Sequence, residues 1–344
     1  MRRIQLLVGV LLLAPLLGAQ VKDGSPATFL ATVTDSRGRA LGDLRQEDFE
    51  LREDGKDQKI ASFMTFRKTA SSVGILLDVS GSMRPKLAKA TNAIEDILDG
   101  LYKDDETFLM PFADRSEVVS DYTDHRVELV TKLRRLSTGG ETALYDAIAE
   151  GIRKLIQGHE TRKVLVLFSD GADSVSGLSY NQIMRMLRES NIILYGIGIP
   201  AGLNSGFYAP ATNFAGQIVI GVPRSNPNPF PIPGTGIPLP IPGRPIPLPT
   251  PKNPDDTGDT VNMSVLESFA EVTGGRAWRI EDPQRRVGMP IDRIVSQLVS
   301  ELRNQYLIGF VPEHPLKDGQ WHRVLIRTKE LGSSVRTRAE YLGK

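Results

Sequence analysis

Hydrophobic and polar positions fall into different textures along this chain. Near the start, Phe29, Ala31 and Val33 alternate with Thr28, Thr32 and Thr34, a period of two that predicts strands with one buried face. Phe49 and Leu51 repeat the pattern against Glu50 and Arg52, and Asp54-Gly55 predicts a hairpin turn. The far end has the same texture. Val324, Ile326 and Thr328 alternate with Arg323, Leu325 and Arg327, and Val335, Thr337, Ala339 and Tyr341 alternate with Arg336, Arg338 and Glu340. Neither end holds enough strands to bury a sheet face by itself, so the two are expected to pack as one small β-domain.

The middle of the chain reads differently. Val73 to Leu77 is a continuous apolar run, as in a strand buried on both faces. Leu87, Ala90, Ile94, Ile97 and Leu98 then recur at three-to-four spacing and predict a helix. Further strands are predicted over 107–112, 117–120, 163–168 and 192–199, and helices over 127–136, 143–156 and 180–190. Beyond residue 258 come a helix over 263–272, stopped by Gly274-Gly275, and a short strand over 277–280. A helix over 286–303 and a last strand over 306–311, ended by Pro312, complete the series. Strands alternating with helices define an α/β class with a doubly wound, mostly parallel sheet. Here that domain is inserted between β-rich N- and C-terminal segments.

Residues 200–258 interrupt it. Thirteen of the 23 prolines lie between Pro223 and Pro254. Proline removes backbone donors and fixes φ, so this stretch builds no packed core and reads as an extended insertion, serving as spacer or partner ligand or merely tolerated at the surface. At the other extreme, Met1-Arg2-Arg3, the apolar run Ile4 to Leu17 and the small residues Gly18-Ala19 form the tripartite pattern of a secretory signal over 1–19. The apolar run is shorter than the ~20 residues a spanning helix needs. Export to the periplasm, cell surface or medium is therefore expected, with no integral membrane span after cleavage.

Composition adds exclusions. Lys+Arg 42 against Asp+Glu 41 leaves a formal charge of +1, and no basic patch interleaved with aromatics points to nucleic acid. Cys 0 removes disulfides, thiolate nucleophiles and zinc-thiolate sites. His125, His159, His314 and His322 share no motif and read as solvated residues. Trp278 and Trp321 read as core or sheet-packing residues. No Gly-x-Ser-x-Gly elbow or Walker loop is present, and Glu141 and Asp173 are uncompelling general bases, so an enzyme is not expected.

The chemistry concentrates at three loops. The first central strand ends in Asp78, with Ser80 and Ser82 at spacings of two and four. Alternate side chains of an extended turn point the same way. Thr142 precedes a helix in a loop that Gly139-Gly140 lets bend, and Asp170 ends another buried strand. In an open parallel sheet such strand ends meet at one edge. Two acids and three hydroxyls there suit a hard divalent cation such as Mg2+. Taken alone, Ser82 reads as a helix cap; the five together read as a metal site.

Asp78-Val79-Ser80-Gly81-Ser82 resembles the Asp-x-Ser-x-Ser motif of the metal-ion-dependent adhesion site (MIDAS) in von Willebrand factor A (VWFA) domains. Gly139-Gly140-Glu141-Thr142-Ala143-Leu144-Tyr145-Asp146 resembles their threonine loop, and Phe168-Ser169-Asp170-Gly171 their second acidic loop. The resemblance covers about 71–312, leaving β-segments at 20–68 and 313–344. Those flanks look similar to the VWFA-related proteins of Acidobacteria; the proline-rich insertion is a departure.

The resemblance implies Mg2+ (or Mn2+ or Ca2+) held by Ser80, Ser82 and Thr142. Asp78 and Asp170 would act directly or through bound water. Gly81, Gly140, Asp146 and Gly171 would shape the surrounding shell, and Lys86 would lie at the surface or beside the site. The implied function is an exported, adhesion-type module whose ion grips a carboxylate on a partner protein. The alternative is a metal-assisted hydrolase, or a non-catalytic subunit or scaffold of an envelope assembly.

Overall fold

The computed structural model describes residues 26–67, 69–200, 261–281, 287–314 and 318–343. The leader read over 1–19 lies outside these residues, as does nearly all of the proline-rich insertion. Among the described residues, no helix is long and apolar enough to cross a membrane.

In chain order the elements are β1 (Ala27–Thr34), β2 (Phe49–Glu53), β3 (Lys56–Gln58), β4 (Ile60–Thr65), β5 (Ser71–Asp78), α1 (Leu87–Gly100), β6 (Glu106–Phe112), β7 (Ser120–Thr123), α2 (Arg126–Leu133), α3 (Leu144–Ile156), β8 (Arg162–Ser169), α4 (Tyr180–Glu189) and β9 (Ile192–Gly198). After the insertion come α5 (Met263–Thr273), β10 (Arg276–Arg279), α6 (Ile291–Arg303), β11 (Gln305–Phe310), β12 (Trp321–Thr328), β13 (Ser334–Arg336) and β14 (Glu340–Leu342).

The central sheet has the order β10-β9-β8-β5-β6-β7 and is parallel except for β7. All eight residues of β5 are buried, as a strand covered on both faces requires. Its side chains alternate between two cores. Val73, Ile75 and Leu77 meet Ile94 and Ile97 of α1, Leu129 of α2 and Leu298 of α6. Leu76 faces the other way, with Phe108, Leu165, Ile148 of α3, Ile183 of α4 and Phe269 of α5. From β5 the chain crosses to β6 on one side and later returns to β8 on the other. The strand order thus reverses at β5, and the crevice at its carboxyl end is where such sheets place ligands.

The two ends of the chain do pair. One antiparallel sheet has the order β13-β1-β11-β4 and the other β14-β12-β2-β3. Leu51 of β2 lies opposite Ile326 of β12, although 275 residues separate them in sequence. The sheets share one core of Phe29, Phe49, Leu51, Tyr306, Phe310, Ile326 and Tyr341. At the hairpin Asp54 has φ +49 and Gly55 φ +84, as the Asp-Gly turn predicts.

Several readings are corrected. The strand expected over 306–311 as the last of the α/β series is β11, and it joins the antiparallel sheet, with Ala31 opposite Tyr306 and Met64 opposite Leu307. Its apolar run suits either sheet, and its antiparallel pairing with β1 and β4 puts it in the β-domain. The strand expected over 117–120 starts at Ser120. The helix expected from 286 starts at Ile291, after Pro290. The alternation over 335–341 is broken between β13 and β14.

Candidate metal centre at the strand ends

Asp78 closes β5, and Ser169 closes β8 beside it. Asp78 is fully buried, Ser80 1% exposed, Asp170 4% and Thr142 6%, while Ser82 reaches solvent. Asp78 accepts from the Ser80 backbone N–H and from Ser169 Oγ, each at 2.9 Å. The Ser80 and Ser82 hydroxyls lie 3.2 Å apart, and Ser82 Oγ donates to Asp170 Oδ2 at 2.9 Å. Four of the five side chains singled out in the sequence are thus joined through short hydrogen-bonded steps.

The third loop is stitched to the first by its backbone. Gly81 N–H donates to the Gly140 carbonyl at 3.0 Å, and Gly139 N–H to the Val79 carbonyl at 2.8 Å. Gly140 has φ +79, and a Cβ there would meet the Asp114 carboxylate at 2.7 Å. Only glycine fits. Thr142 is held by Ser174, whose hydroxyl accepts from Thr142 N–H at 3.0 Å and whose N–H donates to the Thr142 carbonyl at 2.8 Å. Asp146, in the first turn of α3, accepts from the N–H groups of Gly177 (2.8 Å) and Leu178 (3.0 Å). It braces the acidic loop without joining the oxygen cluster. Gly171 donates its N–H to Ser169 Oγ at 3.0 Å.

Lys86 is 3% exposed, so the surface alternative for it is wrong. Its ammonium donates to Asp170 Oδ2 at 2.8 Å. The buried cluster therefore holds two carboxylates and one ammonium, a formal charge of −1 with both acids ionised. Burial pushes the Asp78 carboxyl up, with the negative charge of Asp170 adding to it and the hydrogen bonds from Ser80 and Ser169 opposing. Lys86 neutralises Asp170, and Asp78 has only neutral donors. An oxygen-only set with one uncompensated buried carboxylate fits a hard divalent cation, which would bring the cluster to +1.

Sequence reasoning missed Ser169, Ser174, Asp114 and the buried state of Lys86. Lys86 lies only four residues from Ser82, but nothing in the sequence marks it as buried. The histidines were misjudged in part. His125 and His159 have side chains 81% and 82% exposed, as expected, but those of His314 and His322 are only 23% and 9% exposed. They lie beside Glu53 in the β-domain, with one ligand atom from each of the three within 4.8 Å of the others.

Residues 72–215 match the family model of the von Willebrand factor type A domain. Among solved structures, the conserved hypothetical protein BatB of Bacteroides thetaiotaomicron is 15% identical, covering 67% of this chain and 97% of its own, with a TM-score of 0.43. An aerotolerance-related membrane protein of Bacteroides fragilis is 17% identical, covering 68% and 98%, with a TM-score of 0.44. A von Willebrand factor type A protein of Catenulispora acidiphila is 12% identical, covering 93% and 74%, with a TM-score of 0.44. No curated protein matches the chain.

Proposed function

We propose that this chain is an exported protein-binding module that grips an acidic group of a partner through a Mg2+ ion at the rim of its central sheet. Ser80, Ser82 and Thr142 would hold the ion, with Asp78 and Asp170 acting directly or through water. The observation that carries the reading is the oxygen cluster linking Asp78, Ser80, Ser82 and Asp170 from two loops, with Thr142 stitched alongside. The bound ion would supply a positive charge with a coordination position for a carboxylate. Lys86 favours the same outcome. By neutralising Asp170 it leaves the loaded site net positive, so an anionic group is preferred over neutral water.

The residues around the rim support a non-catalytic reading. Asp173, one of the two bases considered, accepts from Ser176 Oγ at 2.5 Å and Tyr145 N–H at 3.3 Å, and so braces its own loop. The bracketing β-segments support grouping the chain with the VWFA-related proteins of Acidobacteria. The signal-like sequence pattern over 1–19 supports export. Calorimetric titration of Mg2+ into the purified protein and into Asp78→Ala tests the site. Binding by the former and at least tenfold weaker binding by the latter is expected, and equal binding rejects the assignment. Capture of partners from the native envelope with and without chelator tests the function.

A further inference from the structure

The β-domain contains a second constellation, remote in sequence from the rim residues. Glu53 ends β2 and Asp54 opens the hairpin turn; His314 follows β11, His322 lies in β12 and Tyr341 in β14. The two imidazole rings stack with centroids 3.7 Å apart and planes at 11°. His314 Nε2 lies 3.0 Å from Glu53 Oε1, and His314 Nδ1 lies 3.3 Å from Asp318 Oδ2. His322 Nδ1 lies 2.9 Å from Asp54 Oδ2, and His322 Nε2 lies 2.9 Å from the same Asp318 Oδ2. Tyr341 OH donates to Glu53 Oε1 at 2.5 Å, and Gln58 Nε2 donates to Glu53 Oε2 at 3.2 Å.

Each ring therefore has a carboxylate oxygen at both of its nitrogens. A neutral imidazole carries a single N–H, so in His322 one lone pair faces an anion, whereas His314 Nε2 also has the Tyr341 hydroxyl at 3.2 Å. Two arrangements bring positive charge to the surrounding carboxylates: an extra proton on each ring, or one divalent cation shared by one nitrogen of each ring. Double protonation sets two positive rings against each other at 3.7 Å. One divalent cation brings the same charge without a charged ring pair. Ligand atoms around a tetrahedral Zn2+ at 2.0–2.1 Å sit about 3.3 Å apart. His314 Nε2 and Glu53 Oε1, 3.0 Å apart, are already close to that, and one ligand atom from each of Glu53, His314 and His322 lies within 4.8 Å of the others.

We propose that Glu53, His314 and His322 form a site for a divalent cation of the Zn2+ class. Asp318 accepts from His322 Nε2 at 2.9 Å, which fixes that ring's tautomer and turns its Nδ1 toward Asp54, while His314 Nε2 lies toward Glu53. Asp54 is the fourth group in reach. Parallel rings present parallel lone pairs, so loading splays the stack. The ion would clamp the 49–58 hairpin to the C-terminal strands, securing the pairing that closes the β-domain.

The test uses the full chain without a polyhistidine tag, stripped with chelator and held in excess Mg2+ to occupy the rim. Zn2+ alone is titrated by calorimetry. One Zn2+ per chain is expected in the unaltered protein and in Ser80→Ala, with at least tenfold weaker binding in His314→Gln and in His322→Gln. Co2+ in place of Zn2+ is expected to give the visible absorption of a tetrahedral nitrogen–oxygen site. Unchanged Zn2+ binding in both histidine variants overturns the proposal, as does loss in Ser80→Ala alone, which would assign the ion to the rim. If His322→Gln fails to fold, imidazole 15N NMR of the unaltered protein decides. Two imidazolium rings at neutral pH with equimolar Zn2+ present would overturn the proposal.

Discussion

Replacing Lys86 by methionine separates the two tasks its ammonium performs. Lys86 Nζ lies 2.8 Å from Asp170 Oδ2, with side chains 2% and 5% exposed. Methionine keeps most of the apolar stem and deletes the charge. Asp170 then retains Ser82 Oγ at 2.9 Å and Ala172 N–H at 3.2 Å, both neutral donors. Removing one partner of a buried ion pair costs about 3–5 kcal/mol, because the other charge stays buried and uncompensated. In chelator, Lys86→Met is therefore expected to lose about that much against urea. With Mg2+ saturating, a divalent cation takes over the neutralising role, and the loss should shrink by about 2.7 kcal/mol. Linkage requires the same quantity in binding: at 1.4 kcal/mol per tenfold, the variant must hold Mg2+ about 100-fold more tightly. Urea unfolding with and without Mg2+ gives the first number and calorimetry the second, and the cycle must close. An identical loss in chelator and in Mg2+ would refute the reasoning, since Lys86 would then be a brace unconnected to a cation site.

Two further outcomes probe the scaffold. A Cβ on Gly275 would meet the Leu194 carbonyl oxygen at 1.9 Å, backbone against backbone where β10 enters the sheet beside β9. Gly275→Ala should cost about 3 kcal/mol or more in urea unfolding, and a loss under about 1 kcal/mol would mean the strands yield easily. Partial burial pushes the Glu106 carboxyl up, but hydrogen bonds from Ser72 and His159 outweigh it and hold the group below its ordinary value. Its contribution is therefore present above the unfolded-state value, near 4.3, and is lost as pH falls through the lower folded value. Urea midpoints should fall less on acidification through that window in Glu106→Gln, and parallel acid profiles would contradict this.

Periodicity and motif spacing carried much of the molecule. The run Val73 to Leu77 reads as a strand covered on both faces, and the three-to-four spacing from Leu87 to Leu98 as one apolar helix face, and both elements are there. Glycine and acid spacing around Asp78, Thr142 and Asp170 announced the rim, because a strand-end turn that aims oxygens at one point needs those small residues locally. These are short-range properties, written in consecutive residues.

What remained hidden depends on residues that meet only after folding. The apolar run of β11 read as the last strand of the α/β series, yet β11 pairs with β1 and β4, strands whose residues lie far off in sequence. Lys86 looks like any lysine at the start of a helix until burial turns it onto Asp170. His314 and His322 carry no motif at all. Glu53 lies 261 residues from His314, and their approach exists only because the two ends of the chain close one β-domain, where low dielectric and fixed geometry turn solvated-looking side chains into a charged cluster.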